Sequence, residues 1–386
     1  MVEWKKLGEI MTIVRGASPR PITNYITNDA DGVNWIKIGD VASDAKYITS
    51  SNEKITKEGA AKSRFLHSGD FILSNSMSFG RPYILKIDGC IHDGWIAMSD
   101  FEQHVSSGYL YEILNSNKVQ DYWKMKANNG GAMTNLNSDI VRQTIIPIPS
   151  LSEQSRIVSI LDTFTSSISN LKQQIEERRK QYEYERDLLL DLEGKEGVEK
   201  ISLKEVCDVI NGRAYSQPEL LDKGKYRVLR VGNFFSNDNW YFSDLELEDK
   251  YYCKNGDLLY AWSASFGPHI WKEERVIYHY HIWKMECKEK LYVKYMYYWL
   301  QSKDMYKQAF SNLHGATMAH LTKALMESLK VSVPSLQAQS RIVSILDTFE
   351  QSISNLEEQL AMREKQYEYY RNQLLTFEGE EERGKT

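Results

Sequence analysis

The stretch that decides the fold is residues 149–194, PSLSEQSRIVSILDTFTSSISNLKQQIEERRKQYEYERDLLLDLEG. It returns at residues 334–379 as PSLQAQSRIVSILDTFEQSISNLEEQLAMREKQYEYYRNQLLTFEG, at a constant offset of 185, with about two-thirds of the paired positions identical. Such a repeat marks a duplication and sets the frame for everything else. Proline opens each copy and glycine closes it, the usual asymmetry of a helix. Between them apolar residues recur every three or four positions. In the first copy the series is Leu161, Phe164, Ile168, Leu171, Ile175, Arg178, Tyr182, Glu185, Leu189, Leu192. In the second it is Leu346, Phe349, Ile353, Leu356, Leu360, Arg363, Tyr367, Tyr370, Leu374, Phe377. This is a heptad seam, and each helix is expected to run about 60 Å. A stripe that long cannot be buried on a small domain, so the economical partner is the other copy. Arg178 and Arg363 hold equivalent seam positions. They either snorkel out of the stripe or form a buried polar pair that fixes register.

The stretches before the helices share only scattered signatures. Residues 5–15 (KKLGEIMTIVR) lead to Gly16 as residues 202–211 lead to Gly212. Strand-like WIKIGDV at 35–41 is echoed by VLRVGNF at 228–234. GDFILSNSMSFG at 69–80 matches GDLLYAWSASFG at 256–267, a Gly-Asp turn feeding an apolar strand and then a loop ending in Ser-Phe-Gly. Tyr278, Tyr280 and Trp283 read as one face of a strand; Tyr292, Tyr295, Tyr297, Tyr298 and Trp299 read as a helix whose counterpart is 105–125. A Gly-rich loop precedes each long helix, at 130–137 and 315–322. The expected fold is α+β: two globular domains joined by two long antiparallel helices forming an intramolecular coiled coil, in a pseudo-twofold repeat. The expected boundaries are 1–148 and 195–333 for the globular domains, 149–194 and 334–379 for the helical regions, and a disordered tail at 380–386.

Net charge is −5 over 386 residues, but its distribution matters more. Residues 1–148 carry 16 Lys+Arg against 16 Asp+Glu, and residues 198–333 carry 19 against 17. The first helix with its linker carries 7 against 10, and the second helix with the tail 6 against 10. The acidity sits on the helices, leaving the globular parts able to present basic faces. The four cysteines are scattered without a CxxC spacing, so neither a zinc ribbon nor a disulfide framework is indicated. The opening MVEWKKLGEI lacks the apolar run of a signal peptide, and no stretch has the length of a membrane span, so a cytoplasmic protein is expected.

Catalytic motifs are missing. The sequence has no Asn/Asp-Pro-Pro-aromatic loop of an adenine methyltransferase, no P-loop and no nucleophile elbow. The run Asp191-Leu192-Glu193-Gly194-Lys195 has the residue types of a nuclease site but lies at a helix end without the partner acid. His279 and His281, with His269 and Cys287 nearby, could be imagined around zinc; packing among aromatics is the better reading, since no third ligand has a fixed spacing. What remains is binding chemistry: Arg, Lys, Asn and Ser on loops, with aromatics for stacking, are the side chains that read base edges. The candidates in the first segment are Arg15, Ser18, Arg20, Lys62, Arg64, Ser74, Asn75, Ser78, Arg81 and Asn135. Those in the second are Arg213, Tyr215, Arg230, Asn233, Lys254, Trp262, Ser263, Ser265 and His320. Phe79 and Phe266 read equally well as core plugs beside a tight turn.

Together these features resemble the specificity subunit of Type I restriction–modification systems, over nearly the whole chain. The resemblance rests on the order of segments, on the GDFIL and GDLLY strands, and on IPIPSLSEQSRIVSILD and VSVPSLQAQSRIVSILD at the helix entries. Ser150 and Ser335 stand where the family's usual Pro-Pro-Leu-x-x-Gln has its second proline. The resemblance implies a non-catalytic subunit whose globular domains are target recognition domains, each reading half of a split sequence in double-stranded DNA. It implies that the helices space the domains and dock two methyltransferase subunits, with restriction/motor subunits added for cleavage. S-adenosylmethionine, ATP and magnesium would belong to those partners, with no cofactor or metal in this chain. A Type IIB-like recognition subunit and a coiled-coil adaptor with two protein-binding domains are the alternatives.

Overall fold

The apolar strands and the two seams fold as the duplication requires. The computed structural model describes residues 2–41, 45–75, 79–127, 135–235, 237–263, 265–310 and 321–377. It divides into two units, Met1–Asn170 with Leu360–Thr386, and Leu171–Gln359. The long helices are Leu151–Leu190 and Leu336–Leu374, so each contributes to both units. The tail expected at 380–386 lies outside the described residues.

In the first unit, one sheet runs Thr12–Arg15, Trp95–Ser99, Phe71–Ser74, Pro82–Leu85 and Tyr47–Ile48 in spatial order. A second runs Ile26–Thr27, Glu53–Ile55, Val33–Ile36, Gly89–Ile91 and Arg64–Leu66. The second unit repeats the scheme. Its first sheet is Cys207–Asn211, Ile282–Cys287, Leu258–Ser263 and Ser265–Ile270; its second is Tyr241–Ser243, Tyr226–Leu229, Val276–Tyr278 and Tyr252–Cys253. In each second sheet one central pair is parallel, Val33–Ile36 with Gly89–Ile91 and Tyr226–Leu229 with Val276–Tyr278. The mixed α+β class is as expected. The Gly-Asp turns hold positive φ at Gly69 (107°) and Gly256 (93°), where glycine avoids the Cβ clash.

Three local readings change. WIKIGDV and VLRVGNF are strands only at their starts; 3-10 turns follow at Ile38–Asp40 and Val231–Phe234. Ser265-Phe266-Gly267 is not a loop but the start of a paired strand, registered Ser263↔Ser265 and Ala261↔Gly267. Tyr278, Tyr280 and Trp283 do not share a strand: Tyr278 ends one, Trp283 lies in the next, and Tyr280 is in the turn between. The helix at Val293–Trp299 is present, with Tyr292 at its N-cap.

Each long helix enters through one glutamine. Gln154 is fully buried; its Oε1 accepts from Ser106 N (2.8 Å), and its Nε2 donates to the carbonyls of His104 and Pro149 (3.0 Å each). Gln339 repeats this with Tyr292 N, Lys290 O and Pro334 O, all at 2.8 Å. The Pro-x-Leu-x-x-Gln spacing is therefore a clasp that joins helix entry to domain. Ser150 and Ser335 accept from the N–H groups of Glu153 and Ala338 (3.3 Å each), which is N-capping chemistry that proline could not supply.

Along the seams Leu161, Ile175, Tyr182 and Leu346 are buried and most of the other positions half-buried, while Tyr370 is exposed; near the helix entries Ile157, Ile342 and Val343, outside the series, are buried as well. The first helix stops at Leu190, short of the closing glycine, and Leu192 packs beyond its end. In the second unit Arg179 pairs with Glu357 and Tyr182 with Glu350, ascending one helix while descending the other; the two segments are antiparallel there. In the first unit Phe164 stacks on Tyr370 at 5.3 Å. The arginines correct the buried-pair reading. Arg178 lies half-buried 6.0 Å over the Phe349 ring, and Arg363 lies 5.8 Å over the Phe164 ring. Because 164 and 349 are themselves repeat-equivalent, each unit carries the same cation–π contact.

Candidate nucleic-acid interface

At the end of the strand Thr12–Arg15 the chain crosses closely over a distant turn. Gly16 N donates to Trp95 O (2.8 Å) and Ala17 N to Ile91 O (3.3 Å). A Cβ at residue 16 would lie 2.1 Å from His92 O, so only glycine permits the crossing. This brings the loop after Arg15 onto His92-Asp93-Gly94. Asp93 becomes a hub. Its carboxylate accepts from Ser18 Oγ (2.8 Å) and Arg20 Nη2 (3.4 Å). Its carbonyl accepts from Arg15 Nε (2.9 Å) and Asn75 Nδ2 (3.1 Å). The Ser18 hydrogen bond, above all, holds the Asp93 carboxyl below its ordinary value. Four of the residues expected to touch DNA thus converge on an acid that sequence reading passed over.

The others divide. Ser74 is buried, as is Asn75 of the four, which corrects their reading as base contacts; Asn75 is a brace, its carbonyl accepting from Leu136 N (3.0 Å). Lys62 is held by Tyr25 OH (2.6 Å) and Glu58 (2.9 Å). Arg64 and Asn135 are exposed and Arg81 is half-buried. Phe79 and Phe266 pack against the cores of their units, the plug reading of those residues. Ser78 and His320 lie outside the described residues, as do most of the two Gly-rich loops.

The second unit makes the same crossing with different chemistry. Gly212 N donates to Ile282 O, and Arg213 N to Tyr278 O (3.1 Å each). A Cβ at residue 212 would lie 2.4 Å from His279 O. Here the turn is His279-Tyr280-His281. His279 Nδ1 accepts from His281 N (3.4 Å), as His92 Nδ1 accepts from Gly94 N (2.8 Å) in the first unit. Arg213 pairs with Glu219 (2.6 Å), and that bond pulls the Glu219 carboxyl down to about 2. Arg213 also lies 5.2 Å over the Tyr215 ring, while its Nη1 is buried without an acceptor. Tyr215 stacks on His279, and burial, then the neighbouring His281 and Arg230, lower His279 to about 4, so it is neutral at pH 7. Trp262 donates to Tyr280 O (2.9 Å) and stacks on Trp283 at 5.5 Å.

Arg230 is exposed and lies over Tyr241, and Lys254 is exposed. Asn233 is structural, donating to Asn237 O and Asn239 O. Ser263 and Ser265 face each other across the hairpin. His279 and His281 are in a turn rather than on one strand face, and among the described residues no group of three or more His, Cys, Asp or Glu is placed to hold a metal. No helix among the described residues is long and apolar enough to cross a membrane.

Asp93 and Tyr280 were missed because they reach the crossing from distant strands, whereas Glu219 lies only six residues beyond Arg213 and was missed because it is an acid. One signal was available: His92-x-Gly94 and His279-x-His281 each follow the strand that carries the parallel pair.

The family model for the Type I restriction modification DNA specificity domain matches residues 1–178 and 195–362. A putative type I restriction enzyme specificity subunit of Haemophilus influenzae is 27% identical, covering 97% of this chain and 96% of its own. The EcoR124I/EcoR124II specificity subunit of Escherichia coli is 28% identical over 61% of this chain and 64% of its own. A chain from a solved structure of type I R-M system assembly superposes with a TM-score of 0.67 at 19% identity, covering 97% of this chain and 96% of that one. That likeness shows a shared fold.

Proposed function

This chain belongs to the Type I restriction modification DNA specificity family, and from that premise we propose how it works within a restriction–modification complex. It is the non-catalytic subunit that recognises the target, each globular unit reading one half of a bipartite sequence in duplex DNA. The long helices set the gap between the half-sites and dock two methyltransferase subunits; restriction/motor subunits join the same assembly. S-adenosylmethionine, ATP and magnesium act in those partners, and the protein works in the cytoplasm.

One observation carries this reading. Two units with the same central strand pairings and helical regions about two-thirds identical bear different side chains at the same crossing. The first presents Asp93 with Arg15, Ser18 and Arg20; the second presents Arg213 with Glu219, Tyr215 and Tyr280. Like helices suit like partners, and unlike crossings suit unlike half-sites. Arginine and its carboxylate partner are the vocabulary of base-edge reading in the major groove.

The test is methylome sequencing of cells that express this chain with its methyltransferase partners. A motif of two fixed words separated by a fixed gap is expected. Unspecific methylation, or methyl transfer by the purified chain alone, would contradict the reading.

A further inference from the structure

We infer that Arg20 and Asp93 together read a G·C base pair in the half-site taken by the first unit. The inference rests on the proposed DNA-reading role and gives it a residue pair and a base pair.

The side chain of Arg20 is 82% exposed, yet its guanidinium is tethered to Asp93 Oδ2 at 3.4 Å. The Asp93 side chain is itself 40% exposed. Ser18 occupies Oδ1, while Arg15, from the same stretch, and Asn75, from the end of another strand, fix the Asp93 carbonyl. The carboxylate is therefore built in place, and Arg20 is aimed by it. Side by side they present a fork of donors and a charged acceptor. In the major groove, guanine shows two acceptors, O6 and N7, and its cytosine partner shows the N4 amino donor. Donor fork to guanine and carboxylate to cytosine is the complementary match.

A phosphate contact fits the same residues poorly. An arginine that binds backbone phosphate needs net positive charge, and a carboxylate at this distance both cancels that charge and repels the phosphate. The second unit supplies an internal contrast. At the turn position equivalent to Asp93 it has Tyr280, and its arginine, Arg213, takes its carboxylate from Glu219 instead. The frame is kept while the reading group is exchanged, as expected of a position that sets the sequence word.

The experiment is methylome mapping with the full chain and its methyltransferase partners, comparing wild type, Arg20→Ala, Arg20→Lys and Asp93→Asn. Arg20 is too exposed for its removal to unfold the unit, and Asn at residue 93 keeps an acceptor for Ser18. Each variant is expected to relax one G·C position in one half-site, with discrimination there falling roughly 5- to 150-fold. The other half-site word and the gap stay as they were. Uniform loss of methylation over all sequences with Arg20→Ala would make Arg20 a phosphate contact and overturn the inference, as would an unaltered motif. A wild-type complex that marks no two-part motif would instead overturn the DNA-reading role itself.

Discussion

Tyr367→Phe should weaken the first unit, and more at pH 8 than at pH 4.5. Tyr367, on the second long helix, donates its hydroxyl to Glu112 Oε2 at 2.7 Å. Glu112, on the helix Ser107–Leu114, is 1% exposed. Burial pushes its carboxyl above the ordinary value, and the Tyr367 hydrogen bond, ahead of the charges of Lys46 and Arg371, pulls the other way without cancelling it. The sign follows from linkage. A carboxyl raised on folding holds its proton more tightly in the folded state. Its contribution is complete below the unfolded value and is lost as pH rises through the folded one. Removing the hydroxyl raises the carboxyl further and deepens that loss. Above the window the variant forfeits a hydrogen bond to a charged group, about 1.5–3 kcal/mol. Below it the bond is between neutral groups, about 1 kcal/mol. In melting temperature this is about 2–4 °C per kcal/mol for a unit of this size. Thermal melting at both pH values, with hydrogen exchange of the 107–114 amides to locate the change, reads the difference. Glu112→Gln should flatten the pH dependence. An equal loss at the two pH values, or a larger one in acid, would refute the reasoning.

Gln154→Leu and Gln339→Leu each strand a backbone N–H and two carbonyls at a helix entry. Each should cost its own unit at least about 2 kcal/mol, seen as faster hydrogen exchange at Ser106 and Tyr292 respectively. Arg178→Leu with Arg363→Leu removes one cation–π contact from each unit, about 0.5–1 kcal/mol apiece at these half-exposed sites; denaturant melts should shift slightly while far-ultraviolet circular dichroism is unchanged. Four residues inserted after Ile175 and after Leu360 lengthen each helix by about 6 Å, nearly two base pairs of duplex rise. The methylated motif should keep both words and gain one or two base pairs of gap; an unchanged gap would show that the helices do not set it.

The helices were legible because their signal is long and stated twice: a seam kept over several turns, with proline, serine and glutamine at each entry. The role of the glutamine was not legible, since its partners at His104 and Lys290 come from turns about fifty residues upstream. The strands were found where apolar runs follow a Gly-Asp turn. They were misjudged where aromatics such as Tyr280 lie in a turn held by long-range bonds. At the candidate interface, residue type singled out Arg15, Ser18 and Arg20, which meet at one place. It could not separate them from Ser74 and Asn75, whose polarity serves a buried brace. Nor could it supply Asp93, an acid among residue types that were read as base contacts only when basic, amide, hydroxyl or aromatic. Burial and the approach of distant strands, which no local pattern encodes, decided those cases.

The most direct test of the central claim, two independent readers on a common frame, is an exchange of one of them. Residues 1–148 would be replaced by the corresponding segment of a relative with a different motif, joined at Pro149 so that both helices stay intact. The chimera would then be mapped by methylome sequencing beside the parent. One word of the motif should change to the donor's, while the other word and the gap stay as in the parent. A chimera that changes both words, or that methylates the parental motif unaltered, would contradict the account.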